Sequence, residues 1–572
     1  MTINEWLIFF LVVQVIHFAG TWKLYIRANR KAWEAAIPIY NAVILLSIIK
    51  RPKWWVFLLF FPIVNQLMFP ILWIETARSF GFNKRKDTAL LLLTFGFYLF
   101  YINYATNSPH KQDRSLKPRT GLGEWVSSIA FAIIAATLVH TYVMQPYTIP
   151  TSSLEKTLLV GDYLFVSKFH YGARVPSTTI ATPMLHDSLP TSIFGVKNVK
   201  SYLKTPQIPY VRVPGFQKIK RNDIVVFNWP VDTLVHWTDP SKGIDYKPLD
   251  KKTNYVKRCV GIAGDTLEVR DGYVYINGKQ NILPDRAKLQ FYNRIYSSKG
   301  FSTAKLLRYT KKEFERKFII NFTSQEQFED VMRYAIDNPE KVKDNQFKIT
   351  TSEGGVPQGL INKFRLDIKE ISTASRKANI TDEIAERLRK DSEIDSVIKV
   401  IEPKGSLDRN VFPQVASLGW NTDNYGPIYI PKEGSTVQLN KNSLPFYKGI
   451  ISDYEHNQLE VIGEHIFING KKVTSYTFKQ NYYWMMGDNR HNSEDARYWG
   501  YVPFDHVVGK PVFIWMSWDS NAKGIANKIR WERVFTTVHG SGAPISYLYY
   551  FLGALLLWFG YSTYRKRKKE EG

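Results

Sequence analysis

The sequence predicts membrane α-helices joined to a mainly-β domain that carries an α-rich insertion. Three observations point there. Uncharged apolar runs crowd both ends of the chain, alternating apolar and polar residues dominate the middle, and residues near 290–400 switch to helical spacing with dense mixed charge. The 572 residues are 45% hydrophobic and 15% aromatic, as expected for apolar segments joined to a polar domain.

Residues 125–144 carry no formal charge, and a bilayer core takes about 20 apolar residues. Residues 545–561 form a second uncharged run, followed by Arg565, Lys566, Arg567, Lys568 and Lys569. Positive charge favours the cytoplasmic side, which places that tail in the cytoplasm. The segment before residue 125 holds Lys111, Arg114, Lys117 and Arg119 against Asp113, so it reads the same way. Both spans therefore put the intervening polar domain on the outer side. Upstream runs at 6–22, 35–49, 54–74 and 88–104 make residues 1–120 a multispan region. The first run is not read as a cleavable leader, because Glu5 is the only charge before it and no small-residue cleavage site follows. Pro38 and Asn41 break the second, and basic residues beside several runs leave the parity of these spans open. The net charge of +25 fits attraction to anionic lipid better than nucleic-acid binding, because the basic clusters sit beside the apolar runs.

Between the spans the pattern is β. Asp271-Gly272 and Asn469-Gly470 each separate two alternating segments, a hairpin signal. In the insertion, Ser324 with Gln327 reads as a capping box, and Phe328, Val331, Met332, Ala335 and Ile336 follow at helical spacing. Residues 381–390 form a second helix candidate. The expected divisions are 1–120 (multispan), 121–146 (anchor), 147–285 and 406–530 (β domain), 286–405 (insertion) and 540–572 (C-terminal helix and tail). Cys259 is the only cysteine, which excludes an internal disulfide, and it reads as a small buried hydrophobe.

Four polar segments carry chemistry: residues 149–168 (IPTSSLEKTLLVGDYLFVSK), 220–230 (KRNDIVVFNWP), 254–265 (NYVKRCVGIAGD) and 485–503 (MMGDNRHNSEDARYWGYVP). They offer a serine pair close after a span, Lys257 inside an apolar strand, and a loop dense in short polar groups. A serine needs a base to become a nucleophile. A lysine serves as that base only when neutral, several units below its ordinary pKa of about 10.4, and burial supplies such a shift. Alone, a lysine in a strand more often points at solvent.

In order, the four segments resemble the boxes of type I signal peptidases. Those boxes are Ser-x-x-Pro-Thr-Leu-x-x-Gly-Asp, Arg-Gly-Asp-Ile-Val-Val-Phe, Tyr-Ile-Lys-Arg-Val-Gly-x-x-Gly-Asp, and a Gly-Asn/Asp-Asn box with a downstream Ser-x-Asp-Ser-Arg. The resemblance covers residues 147–168, 220–278 and 425–519. It implies a signal-peptidase-like antiparallel β fold in a bacterial cytoplasmic membrane, with the catalytic domain outside. It also implies cleavage of the signal peptides of exported preproteins after small residues, without cofactor or metal. The bilayer and the secretion translocon are the other expected partners.

By the same match, Ser153 is the nucleophile and Lys257 the general base. Thr157-Leu158-x-x-Gly161-Asp162 sets the register that favours Ser153 over Ser152. Thr151 joins the Ser153 N–H as the oxyanion hole, Ser493 orients the lysine, and Asp495 with Arg497 is a supporting pair. Tyr147, Ile149 and Val256 are candidate pocket walls, or ordinary core. The chain departs from the pattern at Lys156, where proline is usual, and at Leu154, where methionine is. His491 replaces an acidic residue, Ala496 a serine and Asn222 a glycine. His491 reads as structural, because it stands at a structural position. Two rival readings keep the fold: a catalytically silent membrane scaffold or chaperone, and a peptidase specialised for one substrate. A soluble self-cleaving repressor also uses serine–lysine chemistry, but the apolar runs oppose it.

Overall fold

The computed structural model describes residues 2–118, 120–190, 195, 199–233, 241, 243–310, 313–520, 522 and 524–570. Arg119 of the basic loop lies outside them.

Six helices open the chain: α1 (Ile3–Arg27), α2 (Tyr40–Ile48), α3 (Val64–Ser79), α4 (Arg85–Leu93), α5 (Tyr98–Ala105) and α6 (Gly121–Leu138). Among the described residues, α1 and α6 with its π-helical extension Val139–Val143 are long and apolar enough to cross a membrane. The pair α4 and α5, bent by 118°, makes a third such segment if read as one. The terminal apolar run forms part of a helix, Leu548–Glu570.

The runs at 35–49 and 54–74 both break at a proline, and they break identically. Ile-Pro-Ile-Tyr-Asn (37–41) and Phe-Pro-Ile-Val-Asn (61–65) each hold the isoleucine in the left-handed region, at φ 68° and 69°. In each, the next residue's N–H donates to the proline carbonyl at 2.8 Å and the asparagine N–H to the carbonyl four residues back at 2.9 Å. A β-branched residue takes positive φ only under strain, so these turns form a short structural repeat that periodicity does not reveal.

One end of the helical region meets the β domain. The Trp6 indole donates to the Gln207 carbonyl at 2.9 Å, the Gln66 amide donates to Thr179 O, and Ile63 packs with Ala181 and Tyr202. The other ends of α1 and α3 are cationic. Arg27 donates to the carbonyls of Ile102, Asn103 and Thr106, while Glu75 is ion-paired to Arg51, Arg78 and Arg114.

α6 and its extension run directly into the central sheet, an antiparallel eight-stranded array. Its strands are β1 (Met144–Thr148), β2 (Asp162–Ser167), β3 (Ile224–Asn228), β4 (Asn254–Gly261), β5 (Tyr482–Met486), β6 (Val502–Pro503), β7 (Val507–Ser517) and β8 (Thr536–Thr537). The order is β1-β2-β7-β3-β4-β5-β6, with β8 against β7. The runs of buried residues along β3 and β5 reflect cover on both faces. Cys259 is fully buried in β4. A second sheet contains the hairpin around Asp271-Gly272, both with positive φ as a primed turn requires. Asn469-Gly470 does the same between His465–Ile468 and Lys471–Val473.

The insertion contains the expected helices, Gln325–Met332 and Asp382–Arg389, capped by Ser324 and Thr381. Gln327 reaches one residue beyond the cap, accepting from the Thr323 N–H at 2.9 Å. These helices, together with Gln358–Phe364, are accompanied by a three-stranded and a four-stranded antiparallel sheet that the spacing does not reveal. Two separate apolar clusters hold it together: one around Ile295, Ile380 and Leu388, the other around Ile320, Val331 and Ile349.

Candidate active site

Ser153 lies in the loop that joins β1 to β2. The Ile149 and Gly161 backbones pinch this loop shut, each N–H donating across its neck at 2.9 Å. Leu154 and Leu158 are its apolar anchors, buried against Ile224 and Val226 of β3. Lys257 is in mid-β4, opposite Val225 of β3, and is 3% exposed. Alternation along β4 sends the next residue, Arg258, to the other face. There it meets Asp488 in a buried two-bond ion pair of 2.7 and 2.6 Å, and the Thr157 hydroxyl donates to the same carboxylate at 2.7 Å. The serine loop, the lysine strand and the polar loop after β5 are thereby fastened together.

Ser153 and Lys257 line one cleft of about 830 Å³. Its walls include Thr151 and Ser152 of the serine loop, Asn254, Tyr255 and Val256 of β4, and Asn492, Ser493 and Glu494 of the polar loop. Among the described residues, no direct hydrogen bond closes the serine hydroxyl onto the lysine amine, a common state before substrate arrives. Burial pulls the Lys257 ammonium down from 10.5 to about 8; Arg497 adds to that pull, while Asp495, Glu494 and Asp488 oppose it. About a tenth of the amine is therefore free base at pH 7, far more than an unshifted lysine offers.

The polar loop holds the serine pair from behind. The Asn489 N–H donates to the Ser153 carbonyl at 3.0 Å, its side-chain amide to the Ser152 carbonyl at 3.1 Å, and the Asn492 amide to the Ser152 hydroxyl at 3.0 Å. Gly487 makes the close approach possible: a Cβ there would lie 2.2 Å from Ser493 Oγ and 2.6 Å from the Ser153 carbonyl oxygen. The Ser493 hydroxyl is buried without a partner among the described residues. Asp495 accepts from the Gly487 N–H at 3.0 Å and pairs with Arg497 through bonds of 2.8 and 2.9 Å. Arg497 also donates to the Arg490 carbonyl at 2.6 Å, so the pair braces the loop across its width.

The remaining expected residues divide. Thr151 is exposed at the cleft, while Ile149 is buried in the core with Tyr147 packed beside it. Val256 is the one of the three pocket candidates that lines the cleft. His491 has both ring nitrogens engaged: Nδ1 accepts from the Tyr292 N–H at 2.9 Å, leaving the Nε2 proton to face Asp423 at 2.9 Å. Lys156 has φ 68°, a value the proline ring forbids, so the turn after Ser153 has a shape that the usual proline could not take.

Motif reading assigned no role to Arg258, Asp488 or Asn489, although all three lie inside the boxes. Arg409, Asn410, Gln414 and Tyr498 also line the cleft. The first three come from an irregular segment held by the Phe412 N–H donating to the Arg497 carbonyl at 2.8 Å, and no local sequence signal marks them.

A family model described as signal peptidase, peptidase S26, matches residues 122–360 and 433–518. Residues 33–112 match a family of unknown function. The chain is 22% identical over 483 residues to signal peptidase I of Buchnera aphidicola subsp. Acyrthosiphon pisum, covering 84% of this chain and 97% of that one. It is 20% identical over 437 residues to signal peptidase I of Haemophilus influenzae, covering 75% and 79% respectively. With signal peptidase I of Rickettsia felis it shares 29% identity over 163 residues, covering 28% and 45%.

Proposed function

This chain belongs to the S26 family of signal peptidases, serine proteases that hydrolyse peptide bonds, and we propose that Ser153 is its nucleophile and Lys257 its general base. The observation that carries this reading is the shared cleft, in which a buried lysine tuned to about 8 lies with a serine whose carbonyl is held by the Asn489 N–H. The free amine of Lys257 takes the Ser153 hydroxyl proton as Oγ bonds to the scissile carbonyl carbon. The resulting oxyanion is received by the Ser153 N–H and the Thr151 hydroxyl, donors typically worth about 2.7–4 kcal/mol each. Collapse breaks the C–N bond, and the Lys257 ammonium returns the proton to the departing amine of the mature protein. Water, deprotonated by the same lysine, then hydrolyses the serine ester. The Asp495–Arg497 pair braces the loop behind the serine. The Ser493 hydroxyl lines the same cleft but makes no hydrogen bond to Lys257 among the described residues, so any orienting of the lysine by Ser493 comes only with substrate in place.

The substrate is the signal peptide of an exported preprotein. β5 pairs with β4 only from Arg258 onward, so the β4 segment from Asn254 to Lys257 keeps a free edge that lines the cleft. An extended peptide would add there as a strand, with small side chains facing the shallow wall at Val256.

The topology reading follows from which ends meet. Trp6 and Gln66 touch the β domain, whereas Arg27, Arg51, Arg78 and Arg114 gather at the opposite ends of the helices. With the arginines in the cytoplasm, α1 descends from outside, the chain returns to the outer side at Ile63, α3 descends and α6 ascends. The β domain and its cleft then face outward, and the basic C-terminal tail inward.

The test is cleavage of a preprotein by detergent-solubilised enzyme. Wild type should cut after a small residue. Ser153→Ala and Lys257→Ala should each lose activity by about 1,000-fold or more, on the scale seen when a nucleophile or its base is removed, while Ser152→Ala keeps it. Retained cleavage in Ser153→Ala with loss in Ser152→Ala moves the nucleophile by one position.

A further inference from the structure

The insertion reaches into the active site. Its first strand, Gln290–Phe301, grips the polar loop as a short parallel bridge: the Gln290 N–H donates to the Asp488 carbonyl, and the Arg490 N–H to the Gln290 carbonyl, both at 3.0 Å. The Tyr292 N–H bonds His491 one step further along. Glu313 then closes the contact from the side. Its carboxylate accepts from the Asn489 amide at 2.8 and 3.0 Å, from the Asn492 amide at 3.2 Å and from the Asn379 amide at 2.7 Å. The Asn379 amide also donates to Asn489 Oδ1 at 2.5 Å. Asn489 and Asn379 are fully buried. Asn489 holds Ser153 through its backbone N–H and Ser152 through its side-chain amide, and Asn379 in turn holds the Asn489 amide oxygen.

Glu313 occupies this place against its own backbone preference. Its φ is 61°, in the left-handed region, where a residue with a side chain persists only if its surroundings over-determine it. Those surroundings are the Asn379 N–H donating to the Glu313 carbonyl at 2.8 Å and the Glu315 N–H donating to Lys377 O at 3.0 Å. The strand Thr373–Thr381 thus delivers the carboxylate to a loop almost 180 residues further along the chain.

We propose that Glu313 is a positioning residue, through which the insertion locks Asn489 and Asn492 and so sets the Ser153 nucleophile at its reacting distance. This rests on Ser153 being the nucleophile. The carboxylate presents acceptors only, so every amide proton it meets is turned toward it, and Asn489 is left with one orientation. An apolar residue at 313 would leave the Asn489 amide only the Ser152 carbonyl to donate to and the Asn492 amide only the Ser152 hydroxyl, loosening the loop that holds the serine pair. A misplacement of about 1 Å at a reacting group can cost on the order of 100-fold in rate.

The experiment measures preprotein cleavage by full-length, detergent-solubilised Glu313→Ala and Glu313→Gln beside wild type and Ser153→Ala. For Glu313→Ala the expected result is a kcat about tenfold lower, KM within twofold, and an unmoved pH limb, since the lysine is untouched. Amide hydrogen exchange should quicken at residues 487–493, with the rest of the chain unchanged. Glu313→Gln keeps one acceptor oxygen and should lose about threefold. A merely architectural role would lower the melting temperature and the folded fraction but leave kcat per folded molecule and local exchange alone. That pattern, or a Glu313→Ala kcat within twofold of wild type, overturns the proposal. If Glu313→Ala fails to fold, the nearly isosteric Glu313→Gln decides: an unchanged kcat overturns the proposal, a threefold fall supports it. Full activity in Ser153→Ala would instead refute the nucleophile assignment, so the two failures are distinguishable.

Discussion

Lys257 and Lys168 are both lysines drawn away from water in the β domain, yet only Lys257 shares a cleft with the serine pair. Lys257 is the more buried of the two, but its pKa falls less far, to about 8 against about 7 for Lys168. Their neighbours account for the difference. After burial itself, Lys168 meets Arg174 and Arg212, which push it down, and only Asp250 to pull it back. Around Lys257 the carboxylates of Asp495, Glu494 and Asp488 restrain the fall, against Arg497. A depressed lysine is therefore no mark of catalysis by itself. What singles out Lys257 is the Ser153 hydroxyl lining the same cleft, an open strand edge beside it and carboxylates that limit the fall of its proton affinity.

The largest consequence lies in the pH profile. The base works only when neutral, so kcat/KM should rise with pH below about 8 and level off above it. A group titrating at that value is about fifty times more abundant as free base at pH 8 than at pH 6, and the rate should follow. Glu494 favours the ammonium, so Glu494→Gln should move the limb to lower pH. Preprotein cleavage measured across pH 6–10 checks both. A limb at about 10 in wild type would show an untuned lysine and break the contrast drawn here.

The next effect separates the two sides of the dyad. Lysine's side belongs to a regular strand; the serine's side is a loop whose shape depends on Lys156 at φ 68°. Lys156→Pro, which restores the residue usual at this position, should lower kcat by about tenfold or more, because the ring fixes φ near −65°. Lys156→Gly, at ease with positive φ, should stay within twofold. Equal activity in the two variants would mean that the turn tolerates either shape.

This division also explains what was legible in the sequence. Lys257 stood in an apolar strand-like run and Ser153 in a motif after a span, and it was the match of the four segments, in order, to the family boxes that placed both by number. The hairpins at Asp271-Gly272 and Asn469-Gly470 were readable because turn chemistry is local. Glu313, Asn379 and the cleft wall at Arg409–Gln414 were not, since their roles arise from contacts far apart in the chain. Nor were the insertion's sheets, where mixed charge blurs the period of two. Oxyanion chemistry at Thr151 rests on the motif match, because the residue is exposed and makes no contact that would single it out. The paired Pro-Ile-x-Asn turns were hidden for another reason: isoleucine is the last residue expected at positive φ.

The smallest expected effect on catalysis is the most direct test of the contrast. Lys168→Met should leave kcat within twofold, while melting shifts upward, because the variant removes an amine placed next to Arg174 and Arg212. The sign follows from the proton balance. In the folded protein Lys168 binds its proton less tightly than in the unfolded chain, so folding buries an unfavourable ammonium below about pH 7, where the cost is full, and drives the proton off at higher pH. That cost fades as pH climbs toward about 10.4, where the unfolded lysine also loses its proton. The stability gain of Lys168→Met over wild type should therefore be greatest near pH 7 and shrink steadily toward pH 10, read as the difference in urea midpoint at each pH. A gain that grows with pH would contradict a depressed Lys168. A catalytic loss comparable to that of Lys257→Ala would show that the two lysines do not differ in the way their surroundings indicate.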